Sequence, residues 1–165
     1  MDAGFWQTTF WPSEFWLTDF WAEYGAPIVT ADSIEEALFW LLDNDATLTG
    51  LVGSRIYPNQ LARLATLPAI SYSQVGGPRE HTMDGPAGMG TPNFTVSCWA
   101  ESYGRAKSIA EAVRATLNCY SGTVGNVRIY AIFLINETDL FEQPPDVLGL
   151  RRYNKQLSFR IWFQE

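Results

Sequence analysis

NFTVSCWAESYGRAKSIAEAVRATL, residues 93–117, decides how this chain folds. Its first eight residues alternate. Phe94, Val96, Cys98 and Ala100 fall on one side, and Thr95, Ser97 and Trp99 on the other, which is the period of a strand with two unlike faces. Glu101 and Ser102 interrupt the pattern. Ala106, Ile109, Ala110, Val113 and Leu117 then recur at helical spacing as one apolar stripe, with Lys107, Ser108, Glu111, Arg114 and Asn118 off it. Ser102 is placed to cap that helix, its hydroxyl accepting an N–H of the first turn. A strand that feeds straight into an amphipathic helix buries both apolar faces when the helix folds back on the sheet.

Upstream, Ser33-Ile34-Glu35-Glu36 is a capping box, and Ile34, Leu38, Leu41 and Leu42 make the stripe of the helix it opens. Asp45 can cap a further short turn through Leu48, Leu51 and Val52, with Gly53 suited to end it. Arg55–Pro58 is a short extended piece, Leu61–Pro68 a surface loop, and Ala69–Val75 a strand with Ile70, Tyr72 and Gln74 on one side. Gly76-Gly77-Pro78 turns the chain into a polar edge strand, Arg79–Met83. The glycine- and proline-rich DGPAGMGTP, residues 84–92, reads as a mobile loop or hairpin tip. Downstream, Val127–Ile135 alternates between two apolar faces. Val127, Ile129, Ala131, Phe133 and Ile135 lie on one, and Tyr130, Ile132 and Leu134 on the other. Such a strand is covered on both sides, by a helix and by a neighbouring subunit. Leu150–Gln164 is a final strand with Leu157, Phe159, Ile161 and Phe163 inward and Ser158, Arg160, Trp162 and Gln164 outward. The expected fold class is α+β: a mostly antiparallel sheet of four to five strands with two packed helices, plus an extended N-terminal arm.

The arm occupies residues 1–32 and the α+β domain residues 33–165. Residues 1–32 carry Asp2, Glu14, Asp19, Glu23 and Asp32 and no Lys or Arg, whereas the domain is close to neutral. Within the arm, Phe5-Trp6, Phe10-Trp11, Phe15-Trp16 and Phe20-Trp21 recur every five residues. A step of five puts successive pairs on opposite faces of a strand and rotates them by roughly 140° around a helix, so neither regular structure gathers them. The arm therefore reads as a peptide whose aromatic pairs each need a pocket, on another chain in preference to its own domain. Eight such rings left in water would invite aggregation.

The totals bound the function. At 165 residues with 47% apolar content the chain can build one core without staples. A net charge of −7 argues against broad affinity for nucleic-acid backbones. No apolar run is long enough to cross a bilayer and no basic leader precedes an apolar block, so neither a membrane span nor a secretory signal is expected. Cys98 and Cys119 read as free, buried thiols, in keeping with synthesis in a reducing cytoplasm.

Catalytic chemistry is thin. The one histidine, His81, stands in a polar edge segment, where pairing with Asp84 lacks a nucleophile nearby. Cys98 faces an apolar sheet side and makes a poor thiolate. No metal-ligand spacing is present, and GPAGMG, residues 85–90, lacks the Lys-Ser/Thr of a phosphate loop. Arg151, Arg152, Tyr153 and Lys155 could touch phosphate but read as a solvated strand end. No catalytic residue, cofactor or metal is expected.

Four stretches carry a resemblance: ALFWLLDNDATLTGLVGSRIYP, LPAISYSQVGG, DGPAGMGTPNFTVSCWAESYGRAKSIAEAVRATL and LRRYNKQLSFRIWF. Together, over about residues 34–163, they resemble the tail completion, or tail-to-head joining, proteins of long-tailed bacteriophages, akin to the lambda-type tail terminator. The resemblance implies a virion structural protein at the head–tail junction, made in the bacterial host. It implies a ring, usually of six copies, that caps the tail tube and meets the head completion or connector proteins, with DNA passing through the lumen unbound. It gives the loop of Asp84, Gly85, Pro86, Gly88, Met89 and Gly90 a role against the tube or a neighbouring subunit. The arm lies outside the resemblance. A neck adaptor or stopper, and a small binding module, are the alternatives.

Overall fold

The computed structural model describes residues 31–61, 65–142 and 152–164. The arm's aromatic pairs therefore lie outside the described residues, as does Arg151. The described chain is α+β, as the sequence implies, with more elements than expected. Three helices, α1 (Ile34–Asp43), α2 (Ala46–Val52) and α3 (Tyr103–Leu117), pack on a sheet of eight strands. The strands are β1 (Ile56–Pro58), β2 (Ala69–Gly76), β3 (Arg79–Thr82), β4 (Gly85–Gly90), β5 (Asn93–Ala100), β6 (Gly122–Val124), β7 (Val127–Glu142) and β8 (Arg152–Gln164). The sheet is mixed, because β1 runs parallel to β2 while every other pairing is antiparallel.

The strand–helix unit forms as its pattern dictates. Phe94, Val96, Cys98 and Ala100 of β5 are buried, and so is the α3 stripe of Ala106, Ile109, Ala110, Val113 and Leu117. Ser102 caps α3, its side chain accepting from the Arg105 N–H. Ser33 and Glu36 form the capping box of α1. The Asp45 carboxylate accepts from the N–H groups of Thr47 and Leu48 and so starts a true helix where a single turn was expected. Gly53, at φ 61°, ends that helix in the left-handed region that its missing Cβ permits.

β5 lies between β2 and β8, and β8 lies between β5 and β7. Leu157, Phe159 and Ile161 of β8 join Ile70 and Tyr72 of β2 under the helices, so one sheet face and the helices enclose a single core.

Three expectations are corrected here. Residues 85–90 are a strand, not a loop. β4 pairs with β3, and its Met89 and Gly90 pair with Gln164 and Phe163 of β8. The hairpin turns earlier, at Met83-Asp84. Glycine and proline mark a break locally, but pairing with β3, and with β8 at Met89 and Gly90, holds this segment extended. Its neighbour Gly77 is required by close approach, since a Cβ there would sit 2.3 Å from the Pro92 Cα.

The second correction concerns β7, whose alternation changes phase. The register shifts between Ile129 and Ala131 and again between Leu134 and Asn136. Each shift inserts an extra residue and re-aims the side chains beyond it. Val127, Ile129 and Ile132 are consequently buried together on the helix side, while Phe133 and Ile135 join Tyr130 on the opposite face. Among the described residues no second layer covers that face. Cys119 also differs from expectation. It is free but exposed, because at φ 63° it turns the chain away just past α3.

Candidate functional site

With the helices on one side, function among the described residues falls to the other side of the sheet and to its edges. The outward positions of β2, β5 and β8 are mostly hydroxyls and amides. Trp99 stands among them, its indole N–H donating to Ser71 Oγ at 3.1 Å. An open hollow of about 520 Å3 on this face is lined by Asn59, Ser73, Thr95, Ser97, Trp99 and Gln156, among others.

Where β7 meets β8 the same face turns apolar. Tyr130, Phe133 and Ile135 are 44%, 49% and 51% exposed, and Trp162 is 37% exposed. Ala131 pairs with Trp162 and Phe133 with Arg160, so these side chains share the face. The Arg128 guanidinium lies 5.6 Å from the centre of the Tyr130 ring, and the Tyr130 hydroxyl donates to Gln164 Oε1 at 3.2 Å. Arg160 Nε donates to Asn93 Oδ1 at 3.2 Å. The alternation in the sequence signals that β7 is apolar on both sides. It does not signal the two bulges that decide which residues reach the surface.

The β7 edge is only partly closed. β6 pairs with its first residues, the Cys119 N–H and Tyr120 carbonyl bond to Ile132, and Asn118 Oδ1 accepts from the Leu134 N–H. Beyond that point no described strand lies on the outer side of β7. Leu140, 42% exposed, sits in this open stretch.

The hairpin of β3 and β4 carries the other expected contact residues. Asp84 is exposed at the tip beside Met83, which is fully exposed. Gly85, Pro86, Gly88 and Met89 lie along β4, and Gly90 is buried at its base. The structure thus spreads the expected contact loop along one arm of a hairpin.

The chemistry-bearing residues do not converge. His81 and Asp84 are both exposed. Cys98 is wholly buried, and burial pushes its thiol far above the ordinary range. The basic strand end is split. Lys155 turns to the helix side, 3.0 Å from Asp139 and 3.6 Å from Glu137. The hydrogen bond from Lys155 holds the Asp139 carboxyl below its ordinary value and raises the lysine in return. Arg152, in contrast, lines the outward hollow. Among the described residues no His, Cys, Asp and Glu cluster could hold a metal ion. No described helix is long and apolar enough to cross a membrane.

The root of the arm is fixed. Ala31 is fully buried and its carbonyl accepts from the Asn126 N–H at 2.9 Å. Asp32 Oδ1 accepts from Asn126 Nδ2 at 2.7 Å. Gly125, at φ 57°, leaves the room, since a Cβ there would lie 2.1 Å from the Ala31 nitrogen.

Comparison with known proteins follows the same line. The model of the family described as Tail completion protein gp17 matches residues 36–164. A chain of the solved structure titled "Virion of native gene transfer agent (GTA) particle" shares the fold, with a TM-score of 0.65 at 19% identity, over 81% of this chain and 96% of that one. No curated protein sequence matches significantly.

Proposed function

The chain belongs to the Tail completion protein gp17 family, and on that footing we propose that its copies close into a ring that caps the tail tube and joins it to the head connector. Membership makes it a structural protein of a bacteriophage virion, placed where tail meets head. The observation that carries the ring is the open stretch of β7. An edge strand with unpaired backbone and exposed Ile135 and Leu140 is a template for another chain. A neighbour that seats against it with a different surface makes a head-to-tail contact, and such contacts close into rings when the rotation per subunit allows. The reading takes six copies.

The exposed hairpin tip, Met83-Asp84, is suited to touch the tube or the next subunit, with Gly85, Pro86, Gly88, Met89 and Gly90 as its stalk. The Phe5-Trp6 and Phe10-Trp11 pairs, furthest from the domain, are suited to grip adjoining neck or head parts. A net charge of −7 favours a lumen through which DNA slides without sticking.

Purified headless tails test the assignment. A protein that caps the tube remains on them and is found by mass spectrometry. Its absence from headless tails, with presence on tail-less heads, would make it an adaptor or stopper of the neck instead.

A further inference from the structure

The repeat in the arm has no use in the ring contact, yet the described domain carries a surface that matches it. At the start of β7 the outward face groups Tyr130, Phe133 and Trp162, each more than a third exposed. Arg128 stands over Tyr130 at one end, and Arg160 is the cross-strand neighbour of Phe133. Neither arginine is in an ion pair among the described residues. The patch is aromatic in the middle and positive at its ends. Phe20-Trp21 is its complement, flanked by Asp19 and Glu23 in a segment without Lys or Arg.

Position favours the same match. The arm joins the domain at Ala31, held by Asn126, two residues before Arg128. The ten steps from Trp21 to Ala31 can span up to about 33 Å, at roughly 3.3 Å per residue. The strand from Arg128 to Phe133 covers only about 17 Å. A short tether of this kind gives an effective concentration on the order of millimolar, which favours the chain's own arm over that of another copy.

We propose that Phe20-Trp21 seats on this patch of its own chain, the rings against Tyr130, Phe133 and Trp162, with Asp19 and Glu23 against Arg128 and Arg160. Three partly exposed rings accommodate one pair, so the outer pairs stay available to neighbours. The proposal does not depend on ring formation.

The full-length chain with photoreactive p-benzoylphenylalanine in place of Phe133 tests it. After irradiation, denaturing electrophoresis separates links within a chain, which keep the monomer mass, from links between chains, which double it. Cleavage after Asp and Glu releases FWAE, residues 20–23, which mass spectrometry distinguishes from FWLTD, residues 15–19, of the preceding pair. The expected result is a monomer-mass product linked to FWAE. A dimer-mass product linked to it would give the patch to a second copy's arm, and a link to any other peptide would give it to a different occupant. Either would overturn the proposal. The same label at Tyr130 serves if the first variant does not fold. Arg128→Glu with Arg160→Glu should cut the yield about fivefold, as the loss of two exposed ion pairs would. An unchanged yield would contradict the charge match.

Discussion

Asp45 holds two helices with one carboxylate. Its Oδ1 accepts from the N–H groups of Thr47 at 2.8 Å and Leu48 at 2.9 Å, and its Oδ2 accepts from the Thr116 hydroxyl at 3.0 Å. The Leu48 N–H, above all, keeps the carboxyl below its ordinary value. A depressed carboxylate adds stability that is present above the unfolded value, about pH 4, and is lost as pH falls through the folded one. Asp45→Ala should therefore lower the unfolding free energy by about 1 kcal/mol in urea titrations at pH 7. Asp45→Asn should keep most of the cap at pH 7 and flatten the loss of stability below about pH 4. The two thiols should also separate in the native state. A disulfide reagent should modify Cys119 rapidly, and Cys98 only on unfolding, because Cys98 is buried against apolar neighbours. At this scale the caps were legible, since Ser33, Asp45 and Ser102 act on groups two or three residues away. The exposure of Cys119 was not, since it depends on a left-handed backbone position that the sequence does not mark.

At the scale of elements, close approach separates glycines that look alike in sequence. A side chain at Gly77 would meet the Pro92 backbone, whereas one at Gly104, in the first turn of α3, would meet nothing within 4 Å. Gly77→Ala should cost about 1–3 kcal/mol through forced overpacking at the kink of the long hairpin. Gly104→Ala should add about 0.4–1 kcal/mol by narrowing the unfolded ensemble. Thermal melts of the two variants check both signs. Met83→Asp, at the fully exposed tip, should leave the melting temperature unchanged and weaken attachment to tail tubes in a reconstitution assay. Equal attachment would remove the tip from the interface. The two faces of β5, the α3 stripe and the inward set of β8 were legible because periodicity is local. The short extended piece that becomes β1 was legible as well, but the short strand β6, the glycine-rich β4 and the phase changes of β7 were not, because pairing across the sheet decides them.

At the scale of the whole molecule, the sheet is satisfied on one side and unfinished on the other. Helices cover the inner face, and β7 beyond Leu134 has no described strand on its outer side. The charge is asymmetric too, with the arm carrying five acidic residues and no basic one. The family was legible from four stretches in order, and the matched residues 36–164 agree with the span they implied. That β7 needs cover on a second face was legible from its two apolar sides, but the open stretch of its outer edge was not, since that depends on the assembled sheet. Removing residues 2–14, with the two outer aromatic pairs, should reduce joining of tails to heads while leaving the melting temperature nearly unchanged. The most direct test of the central claim is electron cryomicroscopy of the head-proximal end of purified tails. The account predicts a closed ring of six copies around an open channel, each β7 edge against its neighbour. A single copy at the tail end, or a ring whose contacts leave that edge in solvent, would contradict it.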